Sequence, residues 1–318
     1  MSNKNTNVYL DAKTSFLEPS IQQYGSHMVM SNVKKSTRQK YINIDTRFTD
    51  DYGYNKTAFN QTTSFTFTFP EKIKDAKTIR VSCVELPISF YNFSASLGNN
   101  SFKITDISGN SQMVVIKDGN YLTPGELNAE ISTEIHALGG LNTNIKYDIS
   151  ANSYSYLDAS ASSFQIVFDT DSSGNFDKYN FRSKLGWSMG YRSPTYTLPT
   201  GGGTPLKGES FVNLNTVRYV YLVVDEYSSG FTNSFVCPLQ HSLINKKILA
   251  RIAIDNHIFP FGTIQISDIF NGLLVTDVRH YNGTVDIQKI TVQLVNEYGH
   301  SIDLNGMDFS FLLEVTYE

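Results

Sequence analysis

The segment Asp308-Phe309-Ser310-Phe311-Leu312-Leu313-Glu314-Val315-Thr316-Tyr317 alternates apolar and polar side chains with a period of two. That period sends Phe309, Phe311, Leu313, Val315 and Tyr317 to one face and Asp308, Ser310, Glu314 and Thr316 to the other, as in a half-buried strand. Further back in the chain the same period recurs. Thr62 to Phe69 points Phe65, Phe67 and Phe69 inward and stops at Pro70. Ile42 and Ile44 share a face, as do Ile79, Val81 and Cys83, before Val84 and Leu86 change phase ahead of Pro87. Val217 to Val224 is apolar on both faces, the pattern of a covered strand. Ile248, Ala250, Ile252 and Ile254 alternate with less uniformly apolar neighbours, and Ile264 and Ile266 make a short strand. Val285 and Ile287 are out of phase with Ile290, Val292 and Leu294, which predicts a bulge near Gln288-Lys289. Asn271-Gly272, Asn282-Gly283 and Asn305-Gly306 supply turns. Strands beginning near residues 41, 62, 77, 217, 246, 262, 285 and 307 make eight, which predicts an all-β, eight-stranded jelly-roll sandwich. A Greek-key sandwich reads much the same.

Residues 96–208 depart from this scheme and read as an inserted, mostly β domain carrying one short helix. Its strands are Phe102–Asp106, Met113–Lys117, Ile145–Ile149 and Phe164–Phe168. The helix opens with Thr123 as N-cap, Pro124 in the first helical position and Glu126 closing a capping box. Leu127, Ile131, Ile135 and Leu138 form its buried stripe, and Gly139-Gly140 ends it. Ser193 to Pro205, rich in Gly, Pro, Thr and Tyr, reads as an exposed loop. The expected organisation is therefore an N-terminal arm over 1–37, a jelly roll over 38–95 and 209–318, and an insertion over 96–208.

The chain has 318 residues, 40% hydrophobic and 13% aromatic, enough to bury a large core. Only 18% are charged, against ~25% in typical globular chains. The net charge of −4 lacks the basic excess of a nucleic-acid binder, so no specific nucleic acid is expected. No apolar run reaches the length of a membrane span, and the N-terminus lacks the apolar core of a secretory signal. With two cysteines, Cys83 and Cys237, both in apolar stretches, the chain reads as intracellular where it is made, with buried thiols. The glycosylation-type triplets at Asn55, Asn60, Asn92, Asn99 and Asn282 then carry no weight. Lys34, Lys35 and Arg38 form a small basic cluster that could meet an acidic partner.

Catalytic chemistry has little to start from. None of His27, His136, His241, His257, His280 and His300 begins a His-x-Asp or His-x-Glu pair, which disfavours a cupin-type metal enzyme. His-Glu-x-x-His, Gly-x-Ser-x-Gly and Cys-x-x-Cys are all missing, so no catalytic or cofactor-binding residue is assigned and no enzymatic activity is expected. One stretch follows a calcium loop in part: Asp169, Asp171, Ser173, Gly174 and Asp177 stand at positions one, three, five, six and nine. Asn180 replaces the closing bidentate Glu, and a strand replaces the leading helix, so a polar hairpin turn is the preferred reading and no metal is assigned.

Five segments resemble a known family together: Tyr41-Ile42-Asn43-Ile44-Asp45-Thr46-Arg47-Phe48, Val84-Glu85-Leu86-Pro87-Ile88-Ser89-Phe90-Tyr91-Asn92-Phe93, Lys117-Asp118-Gly119-Asn120-Tyr121-Leu122-Thr123-Pro124-Gly125-Glu126-Leu127, Leu185-Gly186-Trp187, and Gly306-Met307-Asp308-Phe309-Ser310-Phe311-Leu312-Leu313-Glu314. In their order and spacing they resemble the penton and minor capsid proteins of nucleocytoplasmic large DNA viruses and their virophages. The resemblance implies a single jelly roll with an inserted domain, assembled as homopentamers at the fivefold vertices of an icosahedral capsid. It also implies contacts with the major capsid protein and other minor capsid proteins, assembly in the host cytoplasm and residence in the virion. The alternative is a glycan- or receptor-binding jelly-roll module on the virion surface, with Tyr191 and Tyr196 stacking on sugars.

Overall fold

The computed structural model describes residues 23–24, 27–28, 36–48, 63–149, 155–159, 162–177, 181–198, 203–228, 230–231, 235 and 247–318. The chain forms two units, one of residues 1–38 with Glu318 and the other of residues 39–317. In the first, β1 (Gln23–Tyr24) and β2 (His27–Met28) pair antiparallel. Lys34, Lys35, Cys237 and His241 lie outside the described residues.

The second unit is a jelly roll built largely around one long strand. β3 (Arg38–Asp45) is followed by β4, which runs unbroken through Ser64–Pro87. The predicted strands at 62 and 77 are thus one strand, and Pro70 does not end it. Asp75, at φ +54, sits between its halves. Beyond residues 96–208 come β12 (Tyr219–Asp225), β13 (Ile248–Ala253), β14 (Ile264–Asp268), β15 (Leu274–Thr276), β16 (Arg279–Asn296) and β17 (Ser310–Tyr317). The first half of β4 pairs with β16, which continues to β12, β13 and β15. Its second half pairs with β17 on one side, leading to β3, and with β14 on the other. The strand orders β4-β16-β12-β13-β15 and β3-β17-β4-β14 are the two sheets of a jelly roll, joined through β4. Both sheets contribute to one core, which includes Ile44, Phe65, Val81, Leu86, Leu222, Ile252, Val292, Phe311 and Leu313. Phe65 and Phe309 meet across it with ring centroids 6.2 Å apart.

Period breaks in the sequence correspond to bulges. The β16–β4 register shifts between Ile287 and Lys289, where the change of phase predicts it. The β17–β4 register shifts between Leu312 and Leu313, so Val81 and Val84 are both buried and Cys83 is half-buried instead of facing the core. Asn282-Gly283 is not a turn between strands: it lies within β16, in a register break where Gly283 takes φ +96. Val220, Leu222 and Val224 face the main core. Tyr221 and Val223 pack with Ile248 and Val295 on the other side, which accounts for the doubly apolar stretch of β12.

Residues 93–198 supply a second hydrophobic cluster. Between β4 and β12 lie β5 (Ser101–Thr105), β6 (Ser111–Val115), β7 (Ile145–Ile149), β8 (Ser155–Ala159), β9 (Gln165–Val167), β10 (Thr195–Thr197) and β11 (Leu206–Lys207), in sheets ordered β10-β9-β5-β6 and β11-β8-β7. Helix α1 (Pro124–Ala137) has the predicted Thr123 cap, but Glu126 reaches back one residue past the N-cap N–H that a capping box would use. The Thr123 hydroxyl accepts from the Glu126 N–H, and the Glu126 carboxylate accepts from the Leu122 N–H at 2.8 Å. Leu127, Ile131 and Ile135 are fully buried. Within the predicted loop after Ser193, β10 pairs with β9, and just before it the Tyr191 ring stacks on Phe168, with centroids 5.0 Å apart.

Candidate interaction surface

β14 is an edge strand with its polarity reversed. Gln265 and Ser267 point inward and are fully buried, whereas Ile264 and Ile266 point outward at 59% and 50% exposure. The buried polar pair is satisfied: the Gln265 amide donates to the Ala253 carbonyl at 2.7 Å and to the Ser267 hydroxyl at 2.8 Å, and accepts from the Asp255 N–H. Two isoleucines on the outside of a strand whose inside is polar leave apolar surface in water without any core gain.

The turn after β14 extends that surface. Phe270 is 91% exposed and Ile269 is exposed beside it. The turn's backbone is pinned where the Asp268 carboxylate accepts from the N–H groups of Phe270 and Asn271 at 2.7 and 2.8 Å. The Asn271 side chain donates to the Ile266 carbonyl and accepts from the Asp268 N–H, occupying part of the outer hydrogen-bonding edge. The edge is blunted against strand addition while the side chains stay presented.

Across the same sheet, Ile266 is paired with Glu85 on β4, and Glu85 with Ser310 on β17, whose hydroxyl donates to the Glu85 carboxylate at 2.8 Å. Next comes the corner formed by the end of β3. Thr46 is buried there; its hydroxyl donates to Asp308 at 2.7 Å and accepts from the Phe309 N–H, while its own N–H donates to the Phe309 carbonyl. Arg47 forks onto Asp45, and hydrogen bonds from that guanidinium hold the Asp45 carboxyl below its usual range. Asp45, Asp308 and Glu85 all act on Arg47. Phe48 stands 77% exposed beneath the guanidinium. Three of the sequence segments that carry the family resemblance therefore meet here. Cys83, half-buried nearby, has its thiol pushed up by burial and then by Glu85 and Asp268.

The other sequence candidates fall elsewhere. Asp169 is buried, and its carbonyl accepts from the Asp177 N–H. The Asp171 carboxylate turns back onto the N–H groups of Ser173 and Asn175, and the Lys184 ammonium lies 3.0 Å from Asp177. Among the described residues no group of three or more His, Cys, Asp or Glu side chains is placed to hold a metal; Asn180 lies outside them. Tyr191 is fully buried and the Tyr196 hydroxyl is bound to Glu209, so these two rings do not form the exposed sugar-stacking pair expected of them. The reversed strand was missed because alternation fixes which residues share a face but not which face is buried. The one available signal was the pairing of Gln265 and Ser267 with turn chemistry on both flanks.

No family model matches this sequence, and no curated protein matches it significantly. Among solved structures, the chain is similar to the crystal structure of the selenomethionine-labelled mavirus penton protein. That match covers 89% of this chain and 99% of the other, at 9% identity and a TM-score of 0.44.

Proposed function

We propose that this chain is a structural, non-enzymatic virion protein: a penton-type subunit that forms homopentamers at the fivefold vertices of an icosahedral capsid, beside the major capsid protein. The observation that carries the reading is the reversed strand β14, with isoleucines outside and polar residues inside, on the outer face of a jelly-roll sheet. Such a face fits cover by another protein better than contact with water. A head-to-tail contact between different faces of identical subunits closes into a ring when its rotation divides a full turn. The sequence resemblance supports the penton assignment, since its first, second and last segments are spatial neighbours around Thr46, Glu85 and Asp308. In this reading residues 38–95 and 209–318 form the capsomer body, residues 96–208 the inserted domain and residues 1–37 an arm toward partners.

Native mass spectrometry of the full chain tests the proposal. The expected species is five times the 35.7 kDa chain mass. A strictly monomeric or dimeric protein at micromolar concentration, together with a particle map placing the chain away from the vertices, would overturn it.

A further inference from the structure

A cavity of about 240 Å³ opens where the two hydrophobic clusters adjoin. Its walls are apolar at Ile88, Phe90, Val217 and Phe261, and four asparagines, Asn92, Asn120, Asn215 and Asn256, line it as well. Among the described residues that line it, none is Asp, Glu, Lys, Arg or His. Asn92 is committed to the fold: its amide donates to the Tyr121 and Leu214 carbonyls and accepts from the Tyr121 N–H. Asn215 and Asn256 are exposed at the cavity, joined only by a long 3.4 Å contact, and Asn120 is half-buried beside them. Phe261 is 43% exposed and is backed by Tyr91, stacked at 6.2 Å and 19°. Tyr91 itself does not line the cavity, so it braces the ring from behind.

This lining selects a chemistry. A charged ligand would give up water and find no countercharge. Carboxamides both donate and accept, which suits hydroxyl groups with the same double capacity. A braced aromatic ring suits a flat apolar face. The volume is below the ~300–1,000 Å³ of sites for drug-sized ligands, which limits the occupant to about one ring. We propose that the cavity is a binding site for a single neutral pyranose, stacked on Phe261 and hydrogen-bonded by Asn120, Asn215 and Asn256. The proposal is independent of the oligomeric state, and it places sugar recognition away from Tyr191 and Tyr196.

Saturation-transfer NMR on the full chain tests it, with methyl glycosides of glucose, galactose and mannose, N-acetylglucosamine, and glucuronate as the charged control. At least one neutral sugar should bind with a millimolar constant, and glucuronate should bind more weakly. Phe261→Ala and, separately, Asn256→Ala should each weaken binding by about tenfold, roughly one good contact. Asn256 is exposed, so that variant tests the site without disturbing the core. No transfer to any neutral sugar, preference for glucuronate, or binding unchanged in Asn256→Ala with an unaltered melting temperature would each overturn the proposal.

Discussion

Thr46 shows how much one side chain can hold. Its hydroxyl joins the Asp308 carboxylate and the Phe309 N–H, and Phe309 is buried, so replacing the hydroxyl by a methyl leaves a buried donor without its partner. Leaving such a group unsatisfied costs about 1–3 kcal/mol. Thr46→Val should lose about that much stability by urea denaturation, whereas the exposed Thr66→Val should change little. His300 acts through pH. Burial, and then the Lys184 ammonium, hold its imidazole below the ordinary 6.5, against the opposing effect of Asp177 and a hydrogen bond at Leu97. The unfolded chain therefore binds the proton more readily than the folded one. Stability should be indifferent to His300 above about pH 6.5, fall as pH drops through that value, and level off below the folded pKa. His300→Gln should flatten that part of a melting-temperature profile, and an unchanged slope would assign the acid sensitivity to other groups. Neither role is legible in the sequence, because the partners lie far along the chain or in another element.

Elements were legible where one face is buried and the rule is local. The cap and stripe of α1 follow from Thr123, Pro124, Glu126 and the spacing of Leu127, Ile131 and Ile135. The last strand follows from its period, and the bulge near Gln288 from its phase. Strand ends and the orientation of β14 were less legible, because they depend on register across the sheet. Glu314 illustrates the same limit: it alternates outward as predicted yet is buried, since Arg80 and Gln39 bind it there. The sequence was equally silent on the ion pair that ties β12 and β13 to β16. Arg279 and Glu226 lie 2.6 Å apart with side chains 3% and 0% exposed, and the guanidinium also donates to the carbonyls of Val224, Lys247 and Ile248. Removing one partner of a buried pair strands the other, at about 3–5 kcal/mol, while replacing both by apolar residues costs far less. Arg279→Met should thus lower the denaturation midpoint more than Arg279→Met combined with Glu226→Leu. Gly186 gives a steric counterpart: a Cβ there would overlap the Phe168 ring, so Gly186→Ala must displace a side chain central to the second core.

For the whole molecule, the outer face of the β3-β17-β4-β14 sheet sets folding and assembly apart. Ile264, Ile266 and Phe270 add little to the subunit's own core, because their side chains already stand in water. Covering the exposed half of such an isoleucine is worth on the order of 1 kcal/mol, and the proposed ring would repeat that gain at every interface. Asn271 occupies part of the β14 edge and so disfavours sheet continuation there, which leaves these side chains as the contact in the proposed pentamer. If the proposed pentamer forms through this face, Ile264→Lys combined with Ile266→Lys should dissociate it while leaving the melting temperature of the subunit close to that of the wild type. The pair of measurements separates the cases. Loss of the oligomer with intact folding identifies the face as the ring contact. A collapse of folding would assign the isoleucines to the core, and a persistent pentamer would move the contact to the corner at Arg47 and Phe48.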